Sequence, residues 1–274
     1  FKDLADIRHS FRRFAENTAE GGTIIINGAI ADYEEIVKDL PVSVVTYGLT
    51  EACDYYPSDI TFDEKGCATY TAMHQGRALT SVKLNIPGMH NVSNSLAVIA
   101  AALSLKIELS TITSGISQFT GTDRRFELKG MYKDGVTVID DYAHHPTEIA
   151  ATLTAAQNYP HKRIICVFQP HTYTRTKAFL KDFAKALSLA DVIVLADIYA
   201  ARETDTLGIS SKNIEDDLKA LGKEAYYFPS FDEIENFLQK KCMNGDLLIT
   251  MGAGDVVKIG ENLLMHKVVH IIHI

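Results

Sequence analysis

The sequence predicts an α/β protein of two domains, the second of which is a doubly wound parallel sheet. Three observations lead to this prediction. Apolar runs alternate with amphipathic helical patterns throughout the second half. A strand, a helix and a second strand follow one another near the amino terminus, as in a parallel βαβ unit. A glycine and a charge cluster at 121–127 mark the boundary, so we expect domains at 1–122 and 123–274.

Composition narrows the class of protein. The 274 residues carry a formal charge of −8, which argues against non-specific nucleic-acid binding. No apolar run is long enough for membrane insertion, and no signal peptide is recognisable. The four cysteines lack C-x-x-C spacing and suit a reducing cytoplasm. Because the chain starts at Phe1 without an initiator Met, we expect it to be part of a longer protein.

The first half begins with an amphipathic helix over residues 3–17. A strand at 23–27, a short helix from Asp32 and a strand at 43–47 then form the βαβ unit. From Ala52 to Asn85 the pattern changes to short alternating runs broken by glycines. These runs predict an antiparallel extension on the edge of the parallel sheet.

A buried helix over 95–103 follows a polar segment that contains His90, Asn91 and Asn94. Either asparagine is suited to cap the helix. An asparagine amide also offers a donor and an acceptor together, which an adenine edge requires, and His90 is able to stack on a base. The spacing of these residues is consistent with both interpretations, the helix cap and the adenine contact.

Two adjacent arginines, Arg124 and Arg125, follow a second helix at 110–119. Guanidinium groups bind phosphate through a bidentate fork and never lose their charge. The alternative is a solvated pair bridged to Asp123 or Glu127.

The second half alternates regularly between strands and helices. Predicted strands are 136–139, 163–168, 191–195, 225–228 and 246–251, and predicted helices are 147–157, 177–189, 211–221 and 231–241. This alternation predicts the doubly wound sheet but fixes neither the strand order nor any antiparallel member.

Polar groups follow three of these strands. Asp140-Asp141-Tyr142-Ala143-His144-His145-Pro146 comes after the first strand, and one of its aspartates is suited to cap the next helix. His171 and Arg175 follow the second strand, and Gly252-x-Gly254 follows the last. Open α/β sheets bind ligands at the carboxyl ends of their strands, so we expect the three loops to converge on one site. The histidine spacing does not match a zinc site, and the tail residues His266, His270 and His273 have no companion ligands.

Taken in chain order, five segments resemble the Mur ligase family. They are Gly88-x-His90-Asn91-x-x-Asn94, 123–127, 140–146, 168–175 and 251–255. The resemblance implies a three-domain enzyme, of which this chain holds the later part of the central P-loop-type ATPase domain and the whole Rossmann-like C-terminal domain. It implies an ATP-dependent, Mg²⁺-requiring amide ligase of cytoplasmic peptidoglycan synthesis, with UDP-N-acetylmuramate and L-alanine as substrates.

The resemblance also implies roles for individual residues. His144 and Arg125 would be catalytic. ATP would contact His90, Asn91, Asn94, Arg125 and Asp141, and alanine would contact Tyr142, His144, His171 and Arg175. Thr172 stands where some members have Arg, so the alanine pocket is expected to rely more on Arg175.

The family's G-x-x-G-K-T loop and Mg²⁺ ligands have no counterpart in these residues. We therefore expect them in the missing upstream part, and we expect this chain alone to fold without forming an amide. Two other readings remain: a ligase that recycles murein tripeptide, and a nucleotide- or amino-acid-binding module without turnover. We also expect the adenine-side residues and the His and Arg loops to meet in a cleft between the domains.

Overall fold

The structure is a computed structural model that describes residues 3–133, 135–204 and 207–265. The chain divides into two compact units, the first containing residues 3–63 and 67–120 and the second beginning at Gly121. The tail histidines His266, His270 and His273 lie outside the described residues. None of the helices in the described ranges combines the length and the apolar content that crossing a bilayer requires.

The first unit is a five-stranded sheet with helices packed against it. Its elements are α1 Leu4–Ala15, β1 Thr23–Asn27, α2 Tyr33–Val37, β2 Ser43–Tyr47, β3 Tyr55–Phe62, β4 Cys67–His74, β5 Arg77–Pro87, α3 Met89–Ser104 and α4 Leu109–Gln118. The strand order is β1-β2-β3-β4-β5, parallel from β1 to β3 and antiparallel from β3 to β5. The predicted βαβ unit and its antiparallel extension are confirmed.

Helix α3 begins earlier than the sequence predicts. Gly88, at φ 101°, occupies the N-cap position, and neither Asn91 nor Asn94 caps the helix. The capping interpretation of these asparagines was therefore wrong. Glycine suits this position because its backbone has positive φ, which side-chain-bearing residues rarely adopt. The helix is anchored by buried Ser95, whose hydroxyl lies 2.7 Å from the hydroxyl of Tyr70 on β4.

The second unit is the predicted doubly wound sheet. Its elements are β6 Glu127–Tyr132, β7 Val136–Asp141, α5 Pro146–Gln157, β8 Arg163–Phe168, α6 Tyr173–Ala178, α7 Leu180–Leu187, β9 Val192–Leu195, α8 Ser211–Ala220, β10 Glu224–Tyr227, α9 Phe231–Lys241, β11 Asp246–Met251 and α10 Val257–Met265. The strand order is β10-β9-β8-β11-β7-β6. All pairs are parallel except β6 with β7.

Alternate strand residues supply two separate hydrophobic cores, as a sheet covered on both faces requires. Ile139 packs with helices α5, α7 and α8, whereas its neighbour Val138 packs with α9 and α10.

Three details of the second unit differ from the sequence prediction. The antiparallel edge strand β6 was not predicted. The single helix expected at 177–189 is two helices, separated at Phe179, whose ring packs edge-on against His145 at 4.9 Å. Strand β7 continues through both Asp140 and Asp141, which are buried.

Candidate functional site

The strand order explains why three polar loops lie together. Strand β11 lies between β7 and β8, and Met251 is in register with Asp141 on one side and with Phe168 on the other. All three strands are parallel, so the segments that follow them leave the sheet side by side. The predicted convergence of these loops is confirmed.

The loop after β11, which lies between the other two, has no room for side chains at its two glycines. Gly252 has φ 147°, and a Cβ atom there would lie 2.7 Å from the carbonyl oxygen of Gln169. A Cβ on Gly254 would lie 2.4 Å from Gln169 Oε1 and 3.0 Å from the ring of Tyr199. Any side chain at either glycine would therefore push the loop after β11 away from the loop after β8.

Four rings from three strand ends form a continuous row in front of the glycine turn. Tyr142 and His144 make an edge contact at 5.5 Å between centroids, and His144 and His171 make another at 5.9 Å. His171 stacks on Tyr199 at 5.6 Å. The structure thus brings together three of the predicted alanine-binding residues and adds Tyr199, which the sequence analysis did not single out.

The hydrogen bonds of His144 determine which ring nitrogen holds its proton. Nδ1 lies 3.0 Å from the carbonyl oxygen of Tyr142, and a carbonyl only accepts, so Nδ1 carries the hydrogen. The neutral ring therefore has its lone pair on Nε2. Nε2 is therefore the ring nitrogen of His144 that is able to accept a hydrogen bond or a proton.

The backbone at His144 is fixed by the start of helix α5. His145, rather than an aspartate, is the N-cap, and it forms a capping box with Glu148. Glu148 Oε2 accepts the amide protons of His144 and His145 at 3.0 and 3.2 Å. Burial acts to raise the pKa of Glu148, but these amides and the His144 ring lower it overall.

Asp140 belongs to a buried network that also involves Arg124. Arg124 Nε donates to Asp140 at 2.9 Å, Arg124 Nη2 donates to the carbonyl of Gly252 at 2.7 Å, and Thr250 donates to Asp140 at 2.7 Å. Burial raises the pKa of the Asp140 carboxyl, while Arg124 and Thr250 oppose that effect. The capping interpretation of Asp140 was wrong, because its carboxylate joins β7 to β11 and to the turn before β6.

Asp141, the predicted ribose ligand, is also buried. Its two oxygens accept the amide protons of Phe126 at 2.9 Å and Ala143 at 2.8 Å. Burial raises its pKa despite these bonds. Asp141 does not cap α5, and its observed role is to hold the two loops together. The ribose contact stays a prediction.

The two adjacent arginines have different environments. Arg124 adopts φ 59° and turns inward to Asp140, with its guanidinium 4.9 Å from the Tyr142 ring centroid. Arg125 is exposed, and its guanidinium lies 5.7 Å from the same centroid. Arg125 is therefore accessible to an anionic ligand, whereas Arg124 is engaged in the ion pair with Asp140.

Arg175 lies on the first turn of α6 and is tied to His171. Its Nη1 donates to the His171 carbonyl oxygen at 3.0 Å. Burial lowers the pKa of the His171 ring, and the charges of Arg175 and His144 lower it further. The cation at this end of the site is therefore Arg175, beside an imidazole that favours the neutral form.

The predicted adenine-side residues lie on α3 in the first unit. His90 and Asn94 are exposed, and Asn91 is partly buried. The Asn91 amide donates to the carbonyl of Pro87 at 2.8 Å, so this side chain tethers the strand end to the helix. Their contact with a base, and a cleft shared with the second unit, stay predictions. Among residues 3–133, 135–204 and 207–265, no group of three His, Cys, Asp or Glu side chains is placed to hold a metal ion.

The fold and site define a class of protein. Residues 1–102 match the Mur ligase middle domain, and residues 124–254 match the Mur ligase glutamate ligase domain. The chain belongs to the Mur ligase family.

Particular relatives are similar over nearly the whole chain. The UDP-N-acetylmuramate–L-alanine ligase of Agathobacter rectalis is 62% identical over 264 residues, covering 96% of this chain and 57% of the relative. That of Lachnospira eligens is 55% identical over 265 residues, covering 96% and 58%. The crystal structure of UDP-N-acetylmuramate-alanine ligase from Thermotoga maritima is 28% identical, covers 96% of this chain and 55% of its own, and has a TM-score of 0.78. The chain therefore spans a little over half the length of these relatives.

Proposed function

We propose that the protein containing this chain is a cytoplasmic, ATP-dependent ligase that joins L-alanine to UDP-N-acetylmuramate in peptidoglycan synthesis. The observation that carries the proposal is 62% identity, over 96% of the chain, to an enzyme of that name. The site agrees with the proposal, because it offers accessible cations for anionic groups and a histidine that is able to accept a proton.

ATP supplies the phosphoryl group that turns the muramyl carboxylate into an acyl phosphate. Arg125 is assigned to the phosphate, because its guanidinium is exposed beside Tyr142. Arg175 is assigned to the alanine carboxylate, and the rings of Tyr142 and His171 would flank the amino acid. On α3, His90, Asn91 and Asn94 are assigned to adenine, and Asp141 to ribose, acting through the loop that it holds.

His144 is assigned to the attacking amine. The alanine nitrogen forms a bond to the acyl carbon, phosphate leaves with the electron pair of the broken bond, and the amine proton passes to His144 Nε2. No covalent enzyme intermediate is needed, so catalysis rests on positioning and charge neutralisation. We assign no magnesium ligand to this chain, because the described residues bring together no suitable group of side chains.

Steady-state ligation by the full-length protein tests the proposal. We expect amide formation and ADP release that depend on ATP, Mg²⁺, UDP-N-acetylmuramate and L-alanine together. Replacing alanine by a murein tripeptide should abolish turnover; turnover with the tripeptide and not with alanine would identify the recycling enzyme instead.

Two further measurements examine the assigned residues. His144→Ala should lower the rate of the amine-dependent step while leaving acyl phosphate formation in place; unchanged turnover and alanine affinity would contradict its role. Residues 1–274 alone should fold and form no amide. ADP release by this chain that depends on both substrates would show that the proposed dependence on further residues is wrong.

A further inference from the structure

A carboxylate outside the predicted site binds the segment that carries His171 and Arg175. Glu203 Oε1 accepts hydrogen bonds from the hydroxyls of Thr172 at 2.6 Å and Thr174 at 2.5 Å. Its Oε2 accepts the backbone amide of Thr174 at 2.9 Å. We call this arrangement of Glu203, Thr172 and Thr174 the threonine bracket.

The bracket caps helix α6 from a distant part of the chain. Thr172 is the N-cap of α6, yet its side chain makes no capping bond within the helix. Glu203 supplies that acceptor instead, and its negative charge complements the positive end of the helix. The hydroxyls of Thr172 and Thr174, followed by the Thr174 amide, lower the pKa of Glu203 to about 2. The carboxylate is therefore ionised at every pH near neutrality, and the bracket does not titrate there.

The segment that holds Glu203 is itself fixed to the site. Tyr199 donates its backbone amide to the Pro170 carbonyl at 2.8 Å, and its ring stacks on His171. Glu203 donates its own amide to the Ala200 carbonyl at 2.9 Å, which closes the turn between the two contacts. The 199–203 segment therefore binds the 170–174 segment at both of its ends.

The first turn of α6 links Arg175 to His171. Arg175 is the third residue of α6; it lies three residues after Thr172 and one residue after Thr174, the two residues that Glu203 binds. Its guanidinium donates to the His171 carbonyl, so the cation and the ring share one backbone segment. Releasing the bracket would free that segment at its exposed end, while the contact of Tyr199 with His171 would remain.

We propose that Glu203 is a positioning residue that holds Arg175 and His171 in register for the carboxylate of the amino-acid substrate. This proposal rests on the proposed function of the site. Displacing a binding group by about 1 Å costs up to about 100-fold in rate. The effect should fall on the amino acid, since the bracket touches none of the residues assigned to ATP.

Kinetics of the full-length enzyme with Glu203→Ala test the proposal. We expect the KM for L-alanine to rise about tenfold or more, with a smaller fall in kcat and with the KM values for ATP and UDP-N-acetylmuramate within about twofold of the unsubstituted enzyme. Glu203→Gln should restore most of the loss, because its amide oxygen can accept the Thr174 amide proton while its NH₂ donates to the threonine hydroxyls.

Two variants separate positioning from general damage. Thr172→Val removes one hydroxyl of the bracket at nearly constant shape, and should raise the alanine KM less than Glu203→Ala does. Combining the two substitutions should cost less than the sum of their effects, because both act on the same bracket. Glu215→Ala is the control: this carboxylate pairs with Lys219 on α8 and should leave all three KM values unchanged.

The results that would overturn the positioning role of Glu203 are distinct from those that would overturn the proposed function. An unchanged alanine KM in Glu203→Ala, or equal rises for all three substrates, would overturn the positioning role while the unsubstituted enzyme still turns over alanine. If Glu203→Ala does not fold, Thr172→Val with an unchanged alanine KM would overturn it. Absence of alanine-dependent turnover in the unsubstituted enzyme would overturn the proposed function, and with it the assignment of this role to alanine.

Discussion

Replacing each of the two adjacent arginines by alanine should separate stability from ligand binding. Arg124→Ala removes the partner of Asp140, whose side chain has no exposed surface, and the donor to the Gly252 carbonyl. Arg125→Ala removes an exposed guanidinium. We therefore expect a large loss of folding free energy from the first substitution and a loss of anion binding from the second.

The expected loss for Arg124→Ala follows from the environment of the pair. Breaking a buried ion pair by removing one partner costs ~3–5 kcal/mol. Two features reduce this value: the Arg124 side chain is 24% exposed, and Thr250 continues to donate to Asp140. We expect a loss of about 2–3 kcal/mol for Arg124→Ala at neutral pH, and of less than about 0.5 kcal/mol for Arg125→Ala.

The loss should also depend on pH. Burial raises the pKa of Asp140 in the folded state. Its contribution to the free energy of unfolding is therefore fully present below the unfolded pKa of ~3.9. That contribution is lost as the pH rises through the folded pKa. Removing Arg124 takes away an influence that lowers the folded pKa. The difference between Arg124→Ala and the unsubstituted chain should therefore shrink as pH falls from neutrality towards ~4.

Urea unfolding followed by far-UV circular dichroism is the appropriate measurement, because the chain contains no tryptophan. Hydrogen exchange in β7 assigns the loss to the second unit, since two units need not unfold in one transition. Equal unfolding free energies for Arg124→Ala and the unsubstituted chain, or an equal loss for Arg125→Ala, would refute the distinction between the arginines. A loss that grows on acidification would refute the role given to Asp140.

Three other substitutions give further expected outcomes. Glu148→Ala removes the acceptor of the His144 and His145 amides; it should cost about 1 kcal/mol in urea unfolding and lower alanine-dependent kcat in the full-length enzyme. Asp141→Asn places a side-chain NH₂ next to a buried backbone N–H, and should lower the free energy of unfolding by about 2 kcal/mol. Hydrogen exchange at the Phe126 and Ala143 amides should become faster. The matched control is Asp255→Asn at an exposed position. Tyr70→Phe removes the buried bond to Ser95 and should cost about 1 kcal/mol by the same unfolding assay.

The regular elements of the second unit could be predicted because its strands are buried on both faces. Strand β8 is apolar from Ile164 onward, β11 is apolar except for Asp246 and Thr250, and the helices between them are amphipathic. The break at Phe179 was not predictable, because the helical spacing of apolar residues continues across it. Phe179 at the break makes a tertiary contact with His145, which no local sequence pattern records.

The site was harder to predict at the level of individual side chains. Aspartate is uncommon in strands, so Asp140 and Asp141 pointed to a loop or a cap. Partners distant in sequence, Thr250 and the Phe126 amide among them, stabilise the extended backbone instead. Arg124 and Arg125 carry the same charge, and the sequence does not show that Arg124 adopts a positive φ and turns inward to Asp140. Glu203 gave no signal, because its partners lie about thirty residues earlier in the chain.

The carboxylates around the candidate site share a property that becomes clear only when they are compared. Four carboxylates surround the candidate site, and each is engaged within the protein: Asp140, Asp141, Glu148 and Glu203. These carboxylates therefore hold loops in place, and the guanidinium groups of exposed Arg125 and partly buried Arg175 lie beside the ring row. His144 lies in the same row, with its Nδ1 directed to the Tyr142 carbonyl oxygen. We therefore expect this end of the second unit to bind anionic groups more tightly than cationic ones.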